Sequence, residues 1–336
     1  MSLTHVFAQQ KDGTYTFLNT PNSARLAALG GTILPIYDSD IQLVTYNPSL
    51  INPGINNSIS MSYVDYFNDI SFGTVQYGHT FEKIGSFAGT IQYHNYGDFY
   101  YSDETGFQDV STFNVSDYAF NIGWGRQLNE RLSIGANIKF AGIQYESNSS
   151  FAVAVDIAGS YRSKTDWSLS LVARNIGKEL YNNYQDNANK LPFKMLVGAS
   201  KKLEHLPLTV IVVYDNLQKW NLNYSDPLDL DGNYDPMTGQ IVEKNKLDKF
   251  ADNLFSHFVF AGEFSIGKNL NLRLGYNYGM RQNMKVPTKK GAVGFSYGVG
   301  VNIYKFNISY SRSEMHVHGS PNFLTITTNL DSFKKH

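Results

Sequence analysis

Cysteine is absent from the 336-residue sequence. The chain therefore has no disulfide bond and no thiolate metal site. The mean hydropathy is −0.30, and no apolar run reaches about 18 residues, the length that a membrane-spanning helix requires. The formal net charge is only −1, so the chain has no basic field that could neutralise phosphates. These absences exclude a transmembrane helix and argue against a nucleic-acid-binding protein.

Aromatic residues and glycine are abundant instead. Aromatics make up 14% of the sequence, led by 23 tyrosines and 22 phenylalanines, and 28 residues are glycine. A chain that is too polar for a helical membrane protein, yet rich in these residues, fits a transmembrane β-barrel. The lipid face of such a barrel is apolar only at alternate positions. On composition alone, a soluble all-β protein is the alternative.

The first ten residues, MSLTHVFAQQ, have the end of a signal peptide without its beginning. Val6 and Ala8 stand at the −3 and −1 positions of a cleavage site, but the preceding apolar stretch is short and no basic region is present. We expect residues 1–8 to be a signal-peptide remnant and the mature chain to begin near Gln9. A disordered terminus is the alternative.

Alternation with a period of two residues dominates the rest of the chain. In residues 130–142, ERLSIGANIKFAG, every second residue is apolar and the others are small or charged. The same pattern occurs in residues 166–175 and 269–279. A face of small and charged residues indicates a wet lumen or a tightly filled interior. After Phe72 the apolar face changes side, which predicts a bulge or a misplaced strand boundary.

About fourteen segments show this pattern, and an even count of this size suits an outer-membrane barrel. They lie near 57–66, 69–80, 84–97, 114–127, 130–143, 147–161, 167–176, 191–200, 207–216, 256–265, 269–278, 289–300, 303–313 and 321–330. Short and long connections alternate along most of the chain, as expected for periplasmic turns and extracellular loops. We therefore predict an all-β fold, a transmembrane antiparallel β-barrel of about 14 strands formed by residues 57–336.

The segment before the first strand is rich in glycine, proline and small residues. PNSARLAAL predicts a short helix with Asn22 or Ser23 as N-cap, and two glycines end it. A second short element is predicted to stop at Asn47-Pro48. Since side chains alone do not fill the lumen of about fourteen strands, we predict that residues 9–56 form a hatch inside the barrel. A disordered periplasmic arm is the alternative. The hatch motif comprises Ser23, Ala24, Arg25, Gly30, Gly31, Asn47 and Pro48.

Three parts of the hatch, TPNSARLAALGG, YDSD and YNPSLI, resemble the N-terminal signature of the PorV/PorQ group of outer-membrane proteins, which are similar to FadL long-chain fatty-acid transporters. The form SARLAALGG and the chain length are closer to PorQ. The resemblance implies a FadL-like barrel with a hatch, integral to the bacterial outer membrane. It also implies a place in the attachment complex of the Bacteroidetes type IX secretion system, where cargo is cleaved and joined to anionic lipopolysaccharide. The implied partners are PorZ, PorU and PorV, besides membrane lipid.

Catalytic motifs are not evident. The sequence contains neither a glycine-rich phosphate loop nor a nucleophile elbow, and the resemblance supplies no catalytic residue, so we expect no enzymatic activity and no cofactor. His316 and His318 would share a strand face, but no third metal ligand accompanies them. In DLDGNYDPMTG, alternate side-chain oxygens around a glycine would suit Ca²⁺, although turns in surface loops have the same composition. The candidate calcium ligands are Asp229, Asp231, Asn233 and Asp235.

Five charged residues fall on the face of the strands that does not contact lipid. They could line a transport path, or they could form salt bridges that hold the barrel to the hatch. The salt-bridge interpretation is preferred because buried charges need partners. These residues are Asp156, Arg174, Lys194, Glu263 and Arg273.

The longest insertion, residues 217–255, is predicted to be an extracellular loop with a helix in its second half. Apolar residues recur there at three- and four-residue spacing, including Phe250 and Leu254. This stripe would either dock a partner or fold over the barrel mouth as a lid. The sequence thus favours a non-enzymatic anchor of the attachment complex. A FadL-like channel for hydrophobic small molecules is the alternative, and an outer-membrane enzyme is the least favoured.

Overall fold

The computed structural model describes eight stretches of the chain, namely residues 14–33, 35–67, 70–102, 108–183, 190–222, 245–284, 291–315 and 319–334. Several predictions concern residues outside them and stay predictions. These are the signal-peptide remnant at 1–8, the histidines His316 and His318, and the calcium ligands Asp229, Asp231, Asn233 and Asp235.

Fourteen β-strands form the body of the molecule. They are β1 Ser58–Asp65, β2 Ser71–Phe81, β3 Gly85–Ser102, β4 Gln108–Gln127, β5 Leu132–Tyr145, β6 Asn148–Arg162, β7 Trp167–Asn182, β8 Lys194–Lys202, β9 Leu208–Tyr214, β10 Phe258–Ile266, β11 Leu270–Asn277, β12 Phe295–Ile303, β13 Phe306–Ser313 and β14 Asn322–Asn329.

The strands close into one antiparallel barrel. Each pairs with its neighbours in sequence, and β1 also pairs with β14, from Ser58 opposite Asn329 to Asp65 opposite Asn322. Closure gives each of these strands a neighbour on both sides. The predicted class and strand number are confirmed. The connections after even-numbered strands are short and lie at one end, whereas most of those after odd-numbered strands are long and lie at the other.

Side chains alternate across the barrel wall. On β5, for example, Ile138 points outward and is 47% exposed, while the neighbouring Asn137 and Lys139 point inward and are buried. The outer face is therefore apolar although the chain as a whole is polar. None of the helices among the described residues is long and apolar enough to cross a membrane.

The predicted irregularity in β2 is absent. Its register with β1 and β3 is continuous, and Phe72 points inward, where it joins a buried cluster with Ala24 and Ala27 of the hatch. The prediction was wrong because it assumed a polar lumen. An inward position can be apolar where the surface it faces is apolar.

Short helical elements make up most of the described hatch. Helix α1, Ala24–Ala28, begins after Ser23, whose hydroxyl accepts a hydrogen bond from the amide of Leu26. Gly30 and Gly31, at φ of +94° and +74°, end it in the left-handed region that favours glycine. Four 3₁₀ helices accompany it, at Thr16–Asn19, Ile41–Leu43, Pro48–Leu50 and Pro53–Ile55. The second predicted element is the turn that begins at Ile41 and runs to Tyr46, and a new 3₁₀ helix begins at Pro48 with Asn47 as its N-cap.

Two further α-helices lie at the end with the long connections. Helix α2, Lys246–Phe255, precedes β10, as predicted for the second half of the insertion, and α3, Tyr278–Met284, follows β11. A 3₁₀ helix at Leu330–Phe333 follows β14.

Candidate functional site

The lumen is occupied by the hatch. Its described residues contact strands on every side of the barrel: α1 packs against β11 to β14, and Pro48–Leu50 packs against β4 to β6. The largest apolar cluster joins Leu26, Leu29 and Leu43 of the hatch to inward residues of β6 to β10. The hydrophobic core therefore lies between hatch and wall. The exact limits of the hatch, residues 9–56, stay a prediction.

Arg25 carries the strongest polar connection between hatch and wall. Its Nε and Nη2 donate to the two carboxylate oxygens of Glu263 on β10, at 2.9 and 2.8 Å. Its Nη1 donates to Asp38 at 2.6 Å and to Asp40 at 2.9 Å, both within the hatch. Arg273 of β11 donates to the same Glu263 at 2.7 Å. One guanidinium thus fixes the acidic YDSD stretch and the wall together.

This cluster pairs buried charges of opposite sign. Burial disfavours the charged form of Arg25, but Asp38, Glu263 and Asp40 outweigh that effect and raise the pKa of Arg25 well above its ordinary value. Two cations, Arg25 and Arg273, face three carboxylates in a region that is largely removed from water. The two cations balance two of the three carboxylates, so the ionised cluster keeps one negative charge, and its ion pairs hold the segments in place.

A second buried pair crosses from β5 to β6. Lys139 Nζ lies 2.6 Å from an oxygen of Asp156, and both side chains are at most 1% exposed. Lys139 also donates to the side-chain oxygen of Asn175 at 2.9 Å, and the backbone N–H of Asn175 donates to the Asp156 carboxylate at 2.8 Å. Asn175 in turn donates to Asn19 of the hatch at 3.0 Å. The pair therefore belongs to a network that reaches the hatch.

A bulge in β7 makes this network possible. Val155 is opposite Ile176 and Ile157 is opposite Ala173, so Arg174 and Asn175 together face Asp156. Asn175 has a φ of +57°, and both bulge residues are buried. Consecutive residues of a regular strand point to opposite faces, whereas here both contribute to the lumen.

Arg174 uses its position to hold two parts of the hatch. Its Nη2 donates to the carbonyl oxygen of Leu18 at 2.8 Å, and its guanidinium stacks 3.9 Å from the ring centre of Tyr46. The Tyr46 hydroxyl donates to the carbonyl oxygen of Thr20. Burial raises the pKa of Tyr46 to about 12, with Arg174 opposing the rise. The phenol therefore stays neutral and acts as a donor.

Neutral hydrogen bonds continue the attachment around Asn47. Its amide donates to Ser170 Oγ at 3.1 Å, and its side-chain oxygen accepts from Ser49 at 2.6 Å. Ser49 contacts Ser160 at 2.6 Å, and Ser160 contacts Ser170 at 2.6 Å. Four small polar side chains thus close a ring between hatch and wall.

Glycines on the inner wall let the hatch backbone approach. A Cβ on Gly135 of β5 would lie 2.1 Å from the carbonyl oxygen of Pro48, and one on Gly275 of β11 would lie 2.5 Å from the amide nitrogen of Gly30. Any side chain at these positions would displace the hatch. The small residues on the inner face of the strands are therefore part of the fit.

The predicted site residues have different positions. Asp156, Arg174, Glu263 and Arg273 lie in the buried networks, whereas Lys194 stands at the start of β8 with 27% of its side chain exposed and binds Asp215 at 2.9 Å. Sequence reasoning omitted Lys139 and Asn175. The inward parity of Lys139 was visible in the alternation, but no pattern marked the bulge that turns Asn175 inward.

Helix α2 presents its apolar stripe outward. Asn253 and His257, directly behind the stripe, are buried. The side chain of Asn253 accepts from the backbone amide of Leu222 and donates to the carbonyl oxygen of Trp220. His257 bonds the carbonyl oxygens of Asp215 and Trp220. Phe250 is 55% exposed, with its ring 5.6 Å from that of Trp220. The helix is thus fixed to the rim by its polar side. Within the described residues, no group of three or more His, Asp or Glu side chains could hold a metal ion.

Comparisons with known proteins agree with this architecture. No curated protein sequence matches the chain. Among solved structures, it is similar to the P. putida toluene transporter TodX, with a TM-score of 0.55 and 11% identity, covering 95% of this chain and 100% of that one. The TodX deltaS2S3 mutant, a monoaromatic hydrocarbon channel, gives a TM-score of 0.52 at 10% identity and covers 92% and 99%. A Pseudomonas aeruginosa FadL homologue gives 0.49 at 9% identity and covers 92% and 98%.

A closed barrel of fourteen strands with an apolar outer face defines an integral outer-membrane protein. At 10–11% identity, the two TodX structures show the fold alone. Residues 14–207, more than half of the chain, match the family of the type IX secretion system protein PorV. The chain belongs to this family.

Proposed function

We propose that the chain is a non-enzymatic anchor that holds the surface attachment complex of the type IX secretion system to the outer membrane. The observation that carries this proposal is the filled lumen. Arg25, Glu263 and Arg273 tie the hatch to the wall through buried ion pairs. A barrel whose interior is bonded in this way is suited to bearing a load rather than to passing a solute.

The extracellular rim supplies a surface for the partner. On α2, Leu247, Phe250 and Phe255 are 73%, 55% and 47% exposed, and Leu254 lies on the same stripe. Exposed apolar side chains beside a rigidly held helix are typical of an interaction site. We propose that Phe250 and Leu254 contact the partner. The lid interpretation is less favoured, because Asn253 on the polar side of α2 bonds Trp220 and Leu222 of the same connection, while Phe250 stays exposed.

The proposed direct partner is PorZ, with PorU and PorV in the same complex. This assignment is supported by the motif SARLAALGG, which is closer to PorQ than to PorV, and by the membership of the chain in a type IX secretion family. In this proposal, the structural roles of Asp156, Arg174, Glu263 and Arg273 are to keep the hatch in the barrel, and Ca²⁺ binding by Asp229, Asp231, Asn233 and Asp235 stays a prediction.

Co-purification from native membranes tests the proposal. We expect Phe250→Glu and Leu254→Glu to leave the barrel assembled and to reduce recovery of PorZ with it. Tyr304→Glu is the matched control, because Tyr304 is 88% exposed in the short turn between β12 and β13, at the opposite end of the barrel. Unchanged recovery of PorZ from both α2 variants, at normal surface levels, would reject docking by α2.

A channel for hydrophobic small molecules is the second candidate, supported by the similarity of fold to the toluene transporter TodX over nearly the whole chain. Toluene or fatty-acid flux into vesicles that contain the protein tests it. If the hatch only closes the barrel, flux should be at background in the wild type and should appear when Arg25→Met loosens the hatch. Rapid flux through the wild type would instead support transport.

A further inference from the structure

A depression in the outer wall lies over Gly262 at the middle of β10. Gly262 shares the outward face with Phe260 and Phe264, and it is paired with Val210 of β9 and Leu274 of β11. Because glycine has no side chain, the large neighbours on both sides surround an open space of about 400 Å³. The strand thus carries a pocket with a backbone floor and aromatic ends.

The walls of this pocket are hydrocarbon. Phe260, Phe264, Leu272 and Leu274 line it and are partly exposed. Arg273 is the charged lining residue, but its guanidinium turns inward to Glu263 at 2.7 Å and to Ser309 at 3.1 Å. No positive charge is therefore presented to the outer face by Arg273.

The position of the pocket determines what can enter it. It opens on the lipid-facing surface of an integral outer-membrane barrel, near the centre of a nine-residue strand, where hydrocarbon is the surrounding medium. A column of rings leads to it from the rim: Phe255 of α2 lies 6.4 Å from Phe258, and Phe258 stacks on Phe260 at 5.8 Å. Amphipathic helices with aromatic side chains occupy the boundary between headgroups and acyl chains.

We infer that the pocket over Gly262 is a lipid site that binds one acyl chain of a membrane lipid. The chain lies along the column Phe255, Phe258 and Phe260, and its end fills the space between Phe260 and Phe264. The lipid headgroup is then at the level of α2. This inference is independent of transport, since it concerns the outer wall rather than the lumen, and it shares only Phe255 with the apolar stripe of α2.

Glycine substitutions provide a matched test. A Cβ on Gly262 would meet only Leu208 at 3.5 Å and the Thr209 carbonyl oxygen at 4.0 Å, so Gly262→Ala fits without moving the backbone, and Gly262→Leu places a larger side chain in the pocket. Gly159 of β6 also points outward, and its Cβ would meet nothing within 4 Å. Gly159→Leu therefore adds the same side chain to the lipid face at a distance from the pocket.

The measurement is native mass spectrometry of protein transferred from phosphatidylethanolamine nanodiscs into detergent, with lipopolysaccharide added in a second arm to identify the source of the chain. We expect the wild type and Gly159→Leu to retain one lipid. Occupancy should fall in Gly262→Ala and by roughly ten-fold or more in Gly262→Leu, the loss expected when a few methylene contacts are removed. Heat-modifiable mobility verifies that each variant is folded.

Equal retention by Gly262→Leu and the wild type would show annular lipid only and would overturn the inference. Loss of all lipid from the wild type in both arms would do the same. If Gly262→Leu does not fold, the graded comparison of Gly262→Ala with Gly159→Ala decides, since a specific site requires lower occupancy in the former alone.

Discussion

Arg25 and Glu263 are 238 residues apart in the sequence, and the guanidinium of one meets the carboxylate of the other through two hydrogen bonds of 2.9 and 2.8 Å. This contact joins helix α1 to strand β10. Since Arg273 also binds Glu263, loss of Arg25 would leave three carboxylates facing one buried cation.

Replacement of this arginine should therefore destabilise the protein strongly. We expect Arg25→Met to lower the free energy of unfolding by about 3–5 kcal/mol, as when one partner of a buried ion pair is removed. Urea unfolding in phospholipid vesicles measures it. Arg126→Met is the control, because Arg126 is exposed at the end of β4, and its effect should stay within about 0.5 kcal/mol. Equal effects of the two substitutions would contradict the role given to Arg25.

The Lys139–Asp156 pair should show coupling in a double-mutant cycle. We expect Lys139→Met and Asp156→Asn each to be destabilising, and the double variant to cost less than their sum, with an interaction energy of about 0.5–3 kcal/mol. Lys334 and Asp331 are the matched control, since they are also 2.6 Å apart but are 70% and 42% exposed. That pair should show no measurable coupling. Additive effects at Lys139 and Asp156 would mean that the buried pair does not act as a unit.

Gly30 should tolerate no side chain. Its φ is +94°, and a Cβ there would lie 2.3 Å from Cγ1 of Val259 on β10. Gly30→Ala should reduce stability by at least about 1 kcal/mol, because it combines backbone strain with a steric clash. Gly73→Ala, whose Cβ would meet nothing within 4 Å, should have little effect. Urea midpoints of the two variants provide the comparison, and similar midpoints would refute the close approach of hatch and wall.

Trypsin should fail to cut the hatch in the folded protein. Arg25 is the only lysine or arginine between residues 14 and 56, so tryptic cleavage of this segment can occur at one bond alone, and Arg25 is 5% exposed. Protease added from the periplasmic side should leave the peptide intact, and boiling should make it cleavable. Mass spectrometry of the fragments decides. Rapid cleavage after Arg25 in the unboiled protein would place the hatch outside the barrel.

The alternation of residues was sufficient to predict the strands. A strand whose outer face meets lipid and whose inner face meets a crowded lumen has to alternate, as Ile138 and Lys139 do. The same local rules located α1, since Ser23 can cap a helix and Gly30 can end one. These features depend on neighbours in the chain, so the sequence contains them.

The contacts between hatch and wall were not predictable in the same way. Phe72 seemed misplaced because the apolar surface it meets, Ala24 and Ala27, comes from a segment about fifty residues away. Asn175 points inward only because β7 has a bulge opposite Asp156. The outward orientation of Phe250 likewise follows from the hydrogen bond that Asn253 makes to Trp220, 33 residues earlier in the same connection. Each depends on which surfaces meet, and periodicity carries no information about that.

The hatch precedes β1, yet its contacts extend to the end of the chain: the amide of Ala24 donates to Thr325 Oγ1, 301 residues downstream, at 2.9 Å. Because a chain is synthesised from its N-terminus, the hatch is made first. The last strand that the hatch contacts, β14, is made last. The pairing of β1 with β14 forms the seam that closes the wall. We expect the sealing of that seam and the seating of the hatch to be a single event in biogenesis. The assembly machinery would then hold a barrel open for as long as its hatch is unseated.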